Sequence, residues 1–127
     1  LSTFQEKEIA DLRVKLKTSI KLHNGINYIT ANIGHMEEKD AKTLSFQLEK
    51  EIGNAYILFG FEYNGKPMLM LHLSPALVDQ GMNAVQIIKG LAKHIQGGGG
   101  GQPFFATAGG KMIEGLDKAI ADAFQAG

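Results

Sequence analysis

The sequence has no cysteine, which excludes a disulfide framework, a thiolate zinc site and a cysteine nucleophile. It also lacks net charge: 13 Lys and Arg balance 13 Asp and Glu, which argues against a binder that is electropositive over its whole surface. No run approaches the roughly 18 consecutive apolar residues of a membrane span. Leu1-Ser2-Thr3-Phe4-Gln5-Glu6 has neither the basic nor the apolar region of a secretion signal. A cytoplasmic location and no membrane partner are therefore expected. The first residue is not methionine and a helix begins at once, so the chain reads as a piece of something longer.

The four histidines, His23, His35, His72 and His94, show no His-x-x-x-His pairing, so the expected metal ligands are none. Carboxylates are scattered on helix faces with no spacing that demands acid–base work, and no catalytic residue is expected. What is present is the composition of one soluble globular domain: 127 residues, 44% hydrophobic and 20% charged, enough for a single core.

Ser2 and Thr3, with Gln5 and Glu6 three residues on, form a capping-box pattern. Asn24-Gly25 supplies a stop, and a helix is expected from Phe4 to His23. Ile9, Leu12, Leu16 and Ile20 form its apolar stripe, with Phe4 and Leu22 off the stripe; Arg13, Lys17 and Lys21 form a basic ridge four residues apart. Residues 26–33 suit a strand. Asp40 is the expected cap of a second helix carrying Ala41, Leu44, Leu48 and Ile52, closed by Gly53. Residues 55–61 and 67–73 are strands joined through the hairpin signal Asn64-Gly65, and being apolar on both faces they should be central.

Ser74-Pro75 opens a short helical turn and Asn83 caps a longer helix, with Val85, Ile88, Ala92 and Ile95 inward and Lys89, Lys93 and Gln96 outward. Phe104 to Ala108 form a further strand, and a last helix carries Ile113, Leu116, Ile120 and Phe124. In a strand, adjacent Phe104 and Phe105 face opposite ways, so only one could stack on a base. Met68, Met70 and Met82 are read as core filler. The fold class is α/β (α+β mixed): a mixed β-sheet with helices on both faces, preceded by an N-terminal helix. The expected organisation is that helix over 1–25, leading in from upstream domains, and a globular domain over 26–127.

Gly97 to Gly101 are five consecutive glycines, an expensive segment to order unless side chains cannot be accommodated there. A flexible linker is the plain alternative, but only 26 residues follow the run, fewer than an independent domain needs. The functional expectation is a bare backbone surface open to phosphate, sugar or base, with positive-φ N–H groups forming an anion-binding concavity. On that view, bulky residues at Gly99 and Gly100 should remove binding without unfolding the domain. No carboxylate occurs between Asp79 and Glu114, whereas Lys89, Lys93, His94 and Lys111 do, making a local basic island around the run. Walker and dinucleotide-binding patterns are not matched, so nucleotide hydrolysis is not supported.

The stretch His94-Ile95-Gln96-Gly97-Gly98-Gly99-Gly100-Gly101-Gln102-Pro103-Phe104-Phe105-Ala106-Thr107-Ala108-Gly109-Gly110 resembles the glycine-rich signature that ends bacterial alanyl-tRNA synthetases. The likeness extends more loosely over residues 26–127. It implies a DHH-associated (C-Ala) domain that contacts the corner of alanine-specific tRNA, helps couple aminoacylation with editing, and forms homodimers in some members. ATP and zinc are implied only for the upstream aminoacylation and editing domains, so no cofactor is expected in this part. Carried over by position, the RNA-binding residues are Gly97, Gly98, Gly99, Gly100, Gly101, Gln102, Gly109 and Gly110. Charge placement adds Lys89, Lys93 and Lys111, with Arg13, Lys17 and Lys21 as a secondary set. A departure is Met112-Ile113 where a polar turn would be expected. Two other readings stand beside this one: an accessory substrate-binding domain of a DHH phosphoesterase, and an oligomerisation module working through the first helix, Phe4 and Leu22.

Overall fold

The computed structural model describes residues 3–126, and the side chains of residues 7–121. Ser2 and the side chains of residues 3–6, on which the capping box depends, and the side chain of Phe124 lie outside the described residues. In chain order the elements are α1 (Thr3–Lys17), β1 (Lys21–His23), β2 (Ile26–His35), α2 (Glu38–Ile52), β3 (Ala55–Tyr63) and β4 (Lys66–Leu73). Then follow α3 (Pro75–Asp79), α4 (Ala84–Ala92), β5 (Gly98–Gln102), β6 (Phe105–Gly109) and α5 (Leu116–Ala126). Single 3-10 turns occupy Lys93–Ile95 and Ile113–Gly115.

The six strands form one mixed sheet in the order β1-β2-β3-β4-β6-β5. Only β2 and β3 are parallel. That pairing requires a crossover, which α2 provides. The central position of β3 and β4 follows from their composition. Alternate residues serve opposite faces, and both sets are apolar, so each face must be covered.

Ile57, Phe59, Phe61 and Met70 meet Leu16 of α1 and Ala41, Leu44 and Leu48 of α2 on one face. Tyr56, Leu58, Leu69, Leu71 and Leu73 meet Leu77, Ile88, Leu91 and Leu116 on the other. Helices thus flank the sheet on both sides, as the pattern of strands and stripes predicts. The β3–β4 turn places Asn64 and Gly65 at φ 54° and 75°. Both residues have the positive φ that the favoured two-residue hairpin demands.

Four expectations need correction. The first helix ends at Lys17 rather than His23, because the Thr18 and Ser19 hydroxyls hydrogen-bond back to the Lys15 and Leu16 carbonyls. Such bonds compete with continued helix. Lys21 to His23 turn instead through Asn24-Gly25 into a hairpin, pairing Lys21 with Tyr28 and His23 with Ile26. Lys21 therefore leaves the ridge of Arg13 and Lys17, and Leu22, 71% exposed, belongs to a strand.

The cap of α2 is Glu37, not Asp40, which lies buried in the first turn where a carboxylate suits the helix dipole. Ile113 sits in a 3-10 turn before α5 and is exposed. Phe104 precedes β6: its carbonyl accepts from Leu73 N–H at 2.8 Å and that of Pro103 from Ala84 N–H at 2.8 Å, bonds that hold a turn.

Candidate nucleic-acid interface

Asn83 starts the segment that carries the candidate residues. Its Oδ1 accepts from Val85 N–H at 2.9 Å and Gln86 N–H at 3.3 Å, giving the first turn of α4 two of its missing partners. Ile88, Leu91 and Ala92 then pack inward, which leaves Lys89 and Lys93 exposed on the outer side. Gln96 adopts the left-handed conformation (φ 54°, ψ 47°) and Gly97 N–H closes on Ala92 O at 2.9 Å, turning the chain into the glycine run.

The run is a strand, not the concavity of positive-φ N–H groups expected of consecutive glycines. Gly98 to Gln102 form β5 at the end of the sheet, paired antiparallel with β6 in the register Gly98↔Gly109, Gly100↔Thr107 and Gln102↔Phe105. Among the five glycines only Gly101 has a φ in the glycine-favouring range, 151°. An anion-binding concavity of successive positive-φ residues is therefore not formed. What the run provides is an extended main chain whose outer edge pairs with no strand of the described residues.

The glycines divide by alternation. A Cβ at Gly97 would strike the Gly109 carbonyl oxygen, one at Gly99 the Thr107 carbonyl oxygen, and one at Gly101 would come 2.5 Å from the Phe105 carbonyl oxygen. At Gly98 and Gly100 a Cβ would meet nothing within 4 Å. Close packing on β6 thus accounts for the three odd-numbered glycines, and the internal packing of the protein offers no reason for Gly98 and Gly100. Those two positions present bare backbone outward.

Gly110 and Lys111 are brought to the start of the run. Gly110 N–H donates to Pro67 O at 3.0 Å, Lys111 N–H to Ile95 O at 2.8 Å and Met112 N–H to the same oxygen at 3.0 Å. The Lys111 side chain is exposed there, as are Met112 and Ile113. Gly109 faces Gly98 across the β5–β6 pair. One end of β5 therefore gathers Gly97, Gly98, Gly109, Gly110 and Lys111, with Lys93 on the preceding turn.

At the far end of β5 the fold brings in Lys42 and Phe46, which sequence reasoning did not single out. Gly101 and Gln102 line a cleft of about 260 Å³ together with Lys42, Phe46, Phe104 and Phe105. A signal was available: Lys42, Phe46 and Lys50 recur every four residues on α2, opposite its buried stripe, which makes Phe46 a large apolar residue on the wrong face. The expectation that Phe104 and Phe105 point apart also fails, since the turn at Phe104 breaks strand alternation and both rings line this cleft.

Arg13 and Lys17 are turned towards α2. They lie 3.9 and 3.5 Å from Glu51 Oε2, and Arg13 donates from Nη1 to Gln47 Oε1 at 3.3 Å. A separate cleft of about 490 Å³, lined by none of the glycines, carries Glu8, Glu37, Asp40 and Glu62, a set that repels a polyanion. Among the described residues no group of three or more His, Asp or Glu is arranged to hold a metal ion, and no helix is long and apolar enough to cross a membrane.

A family model described as the DHHA1 domain matches residues 25–126. The chain is 47% identical over 111 residues to an alanine–tRNA ligase of Christiangramia forsetii, covering 87% of this chain and 13% of that protein. It is 45% identical over 117 residues to one of Bacteroides thetaiotaomicron, covering 91% and 13%. The chain thus spans about an eighth of the length of these relatives. Among solved structures, the C-Ala domain from Aquifex aeolicus alanyl-tRNA synthetase superposes with a TM-score of 0.72 at 20% identity, over 80% of this chain and 91% of that one. A DHH domain described as a member of a family of ribosomal proteins gives 0.58 at 20% identity, over 95% and 30%. At such identities the likeness is one of fold.

Proposed function

The chain belongs to the DHHA1 domain family, and from that premise we propose that it is the tRNA-binding C-terminal module of an alanine–tRNA ligase. In this role it grips folded RNA, while aminoacylation and editing are carried out by other parts of the enzyme. The observation that carries the proposal is the pair Gly98 and Gly100: an edge strand without side chains on its open positions, where nothing internal requires glycine. A ribose–phosphate chain can approach such an edge to hydrogen-bonding distance, with main-chain N–H and C=O groups meeting phosphate oxygens and 2′-hydroxyls.

Gly97 to Gly101, Gln102, Gly109 and Gly110 form the contact surface, and Lys89, Lys93 and Lys111 supply charge. Arg13 and Lys17 would have to leave Glu51 to reach a phosphate, so they are secondary at most. Lys21 projects from the opposite edge strand of the sheet, far from β5 in strand order, and is secondary as well.

Relatives at 45–47% identity named as alanine–tRNA ligases favour this role over that of an accessory domain of a DHH phosphoesterase. The test is the double variant Gly98→Val, Gly100→Val, which spares Gly99, a position the fold itself needs. With a melting curve like that of the wild type, it should lose the electrophoretic shift of tRNA. An undiminished shift would defeat the proposal.

A further inference from the structure

The cleft at the turn between β5 and β6 has features that the glycine edge does not explain. The Phe46 and Phe105 rings stack at 5.6 Å and 15°, and His72 lies beneath them, 4.3 Å from Phe46 and 5.7 Å edge-on to Phe105. His72 is buried, with Nδ1 3.3 Å from Ser45 Oγ, and backs the two rings, while Phe46, Phe104 and Phe105 line the cleft itself. Phe46 and Phe104 keep 39% and 40% of their surface exposed. Exposed phenylalanine rings sharing one concave site signal a ligand surface rather than core. Lys42 Nζ stands 5.4 Å from the Phe105 centroid and 5.9 Å from that of Phe46. Lys50 lines an adjoining hollow with Lys42 and Phe46, and no carboxylate lines either hollow.

We propose that this cleft is a nucleobase-stacking subsite, in which an unpaired base lies against Phe46 and Phe104 while Lys42 and Lys50 draw its phosphates. The inference rests on the RNA-binding function above and adds to it a second, distinct contact. The chemistry selects the ligand. A flat π-surface bounded by cations and free of acids suits an electron-rich ring bonded to an anionic backbone. A volume of about 260 Å³ lies below the roughly 300–1,000 Å³ of pockets that enclose a drug-sized ligand, which is the scale of one planar ring. Gln102, exposed at the end of β5, offers an amide donor and acceptor for the edge of that base. Gly101 belongs to both surfaces, so a strand running along the glycine edge would deliver its next unpaired nucleotide into the cleft.

The experiment uses the whole chain and two RNAs: a blunt duplex of about 16 base pairs, and the same duplex closed by a loop of four uridines. Fluorescence anisotropy should show the wild type preferring the looped RNA by about five- to a hundred-fold, the scale of one base stacked on an aromatic ring. Phe46→Leu and Phe104→Leu keep apolar area but remove the flat face, and each should bring the looped RNA towards the affinity of the duplex. Phe104→Trp should retain the preference. The glycine double variant should weaken both RNAs.

Equal binding of the two RNAs by the wild type would overturn the subsite and leave the glycine edge standing. A preference that survives in the Phe46→Leu, Phe104→Leu double variant would overturn it too, and would mark the cleft as a seat for a protein segment. Binding of neither RNA would overturn the subsite, and the electrophoretic shift of tRNA by the wild type then reports separately on the parent function.

Discussion

Gly99 lies so close to the Thr107 carbonyl oxygen that a methyl group on its α-carbon would collide with that oxygen and come 2.7 Å from Ala108 Cβ. Its neighbour Gly100, directly opposite Thr107 in the strand register, has open space where its Cβ would be. Glycine is therefore required at 99 by the strand beside it. At 100 the fold makes no such demand.

Single alanines separate the two positions. Gly99→Ala should lower stability by about 1–3 kcal/mol, the cost of overpacking a closed site. Gly100→Ala should raise it by about 0.4–1 kcal/mol by restricting the unfolded chain, while weakening RNA binding. Urea unfolding followed by circular dichroism measures both, and equal midpoints for the two variants would contradict the alternation.

Salt dependence reports which lysines meet phosphate. For each of Lys89→Gln, Lys93→Gln and Lys111→Gln, the slope of log affinity against log salt should become shallower by about 0.7–0.9. Lys17→Gln serves as the control, since Glu51 already holds that ammonium at 3.5 Å. A slope altered by the control and by none of the other three would move the interface to α1.

Acid should destabilise the domain through His72. Burial holds its imidazole below the ordinary value, against smaller upward pulls from Glu49 and the Ser45 hydrogen bond. As pH falls through about 6.5 the unfolded imidazole takes up a proton that the folded one resists. The unfolded state then binds more protons, and this group's share of stability, fully present above that pH, is lost at up to about 1.4 kcal/mol per pH unit. Paired urea melts at neutral and acid pH should show His72→Phe losing less stability on acidification than the wild type.

Truncating the cap of α4 should loosen the platform that carries Lys89 and Lys93. Asn83→Ala deprives Val85 and Gln86 N–H of their acceptor and should cost about 0.5–2 kcal/mol. Thermal melts test this directly. An unchanged midpoint would mean that the Ala84 N–H bond to Pro103 O holds the helix start without the side chain.

Much of the architecture was legible because local chemistry and periodicity agree. Asn64-Gly65 leaves a hairpin few other conformations, Asn83 and Ser74-Pro75 open helices where expected, and strands apolar on both faces must lie inside. Asn24-Gly25 carries the same hairpin signal as Asn64-Gly65, yet it follows a periodic stripe and so reads as a helix stop. Only the pairing of Lys21 to His23 with β2 distinguishes the two. The sequence marked the glycine run and its lysines as candidates but not Lys42 or Phe46, and not the shape, since a glycine run has no side-chain period to reveal whether it is loop or strand.

By itself, then, the sequence determined the helical stripes, the central strands, the absence of thiol chemistry and the basic island around the glycines, all properties of neighbouring residues or of composition. The tertiary structure alone decided that the glycines form an edge strand, and that β6 needs three of them bare while leaving two facing outward. It also decided that Lys42 and Phe46, more than 50 residues upstream of the run, complete a cleft with Phe104 and Phe105. Those outcomes depend on distances between segments remote in the chain, and such distances are set by how both faces of one sheet are packed.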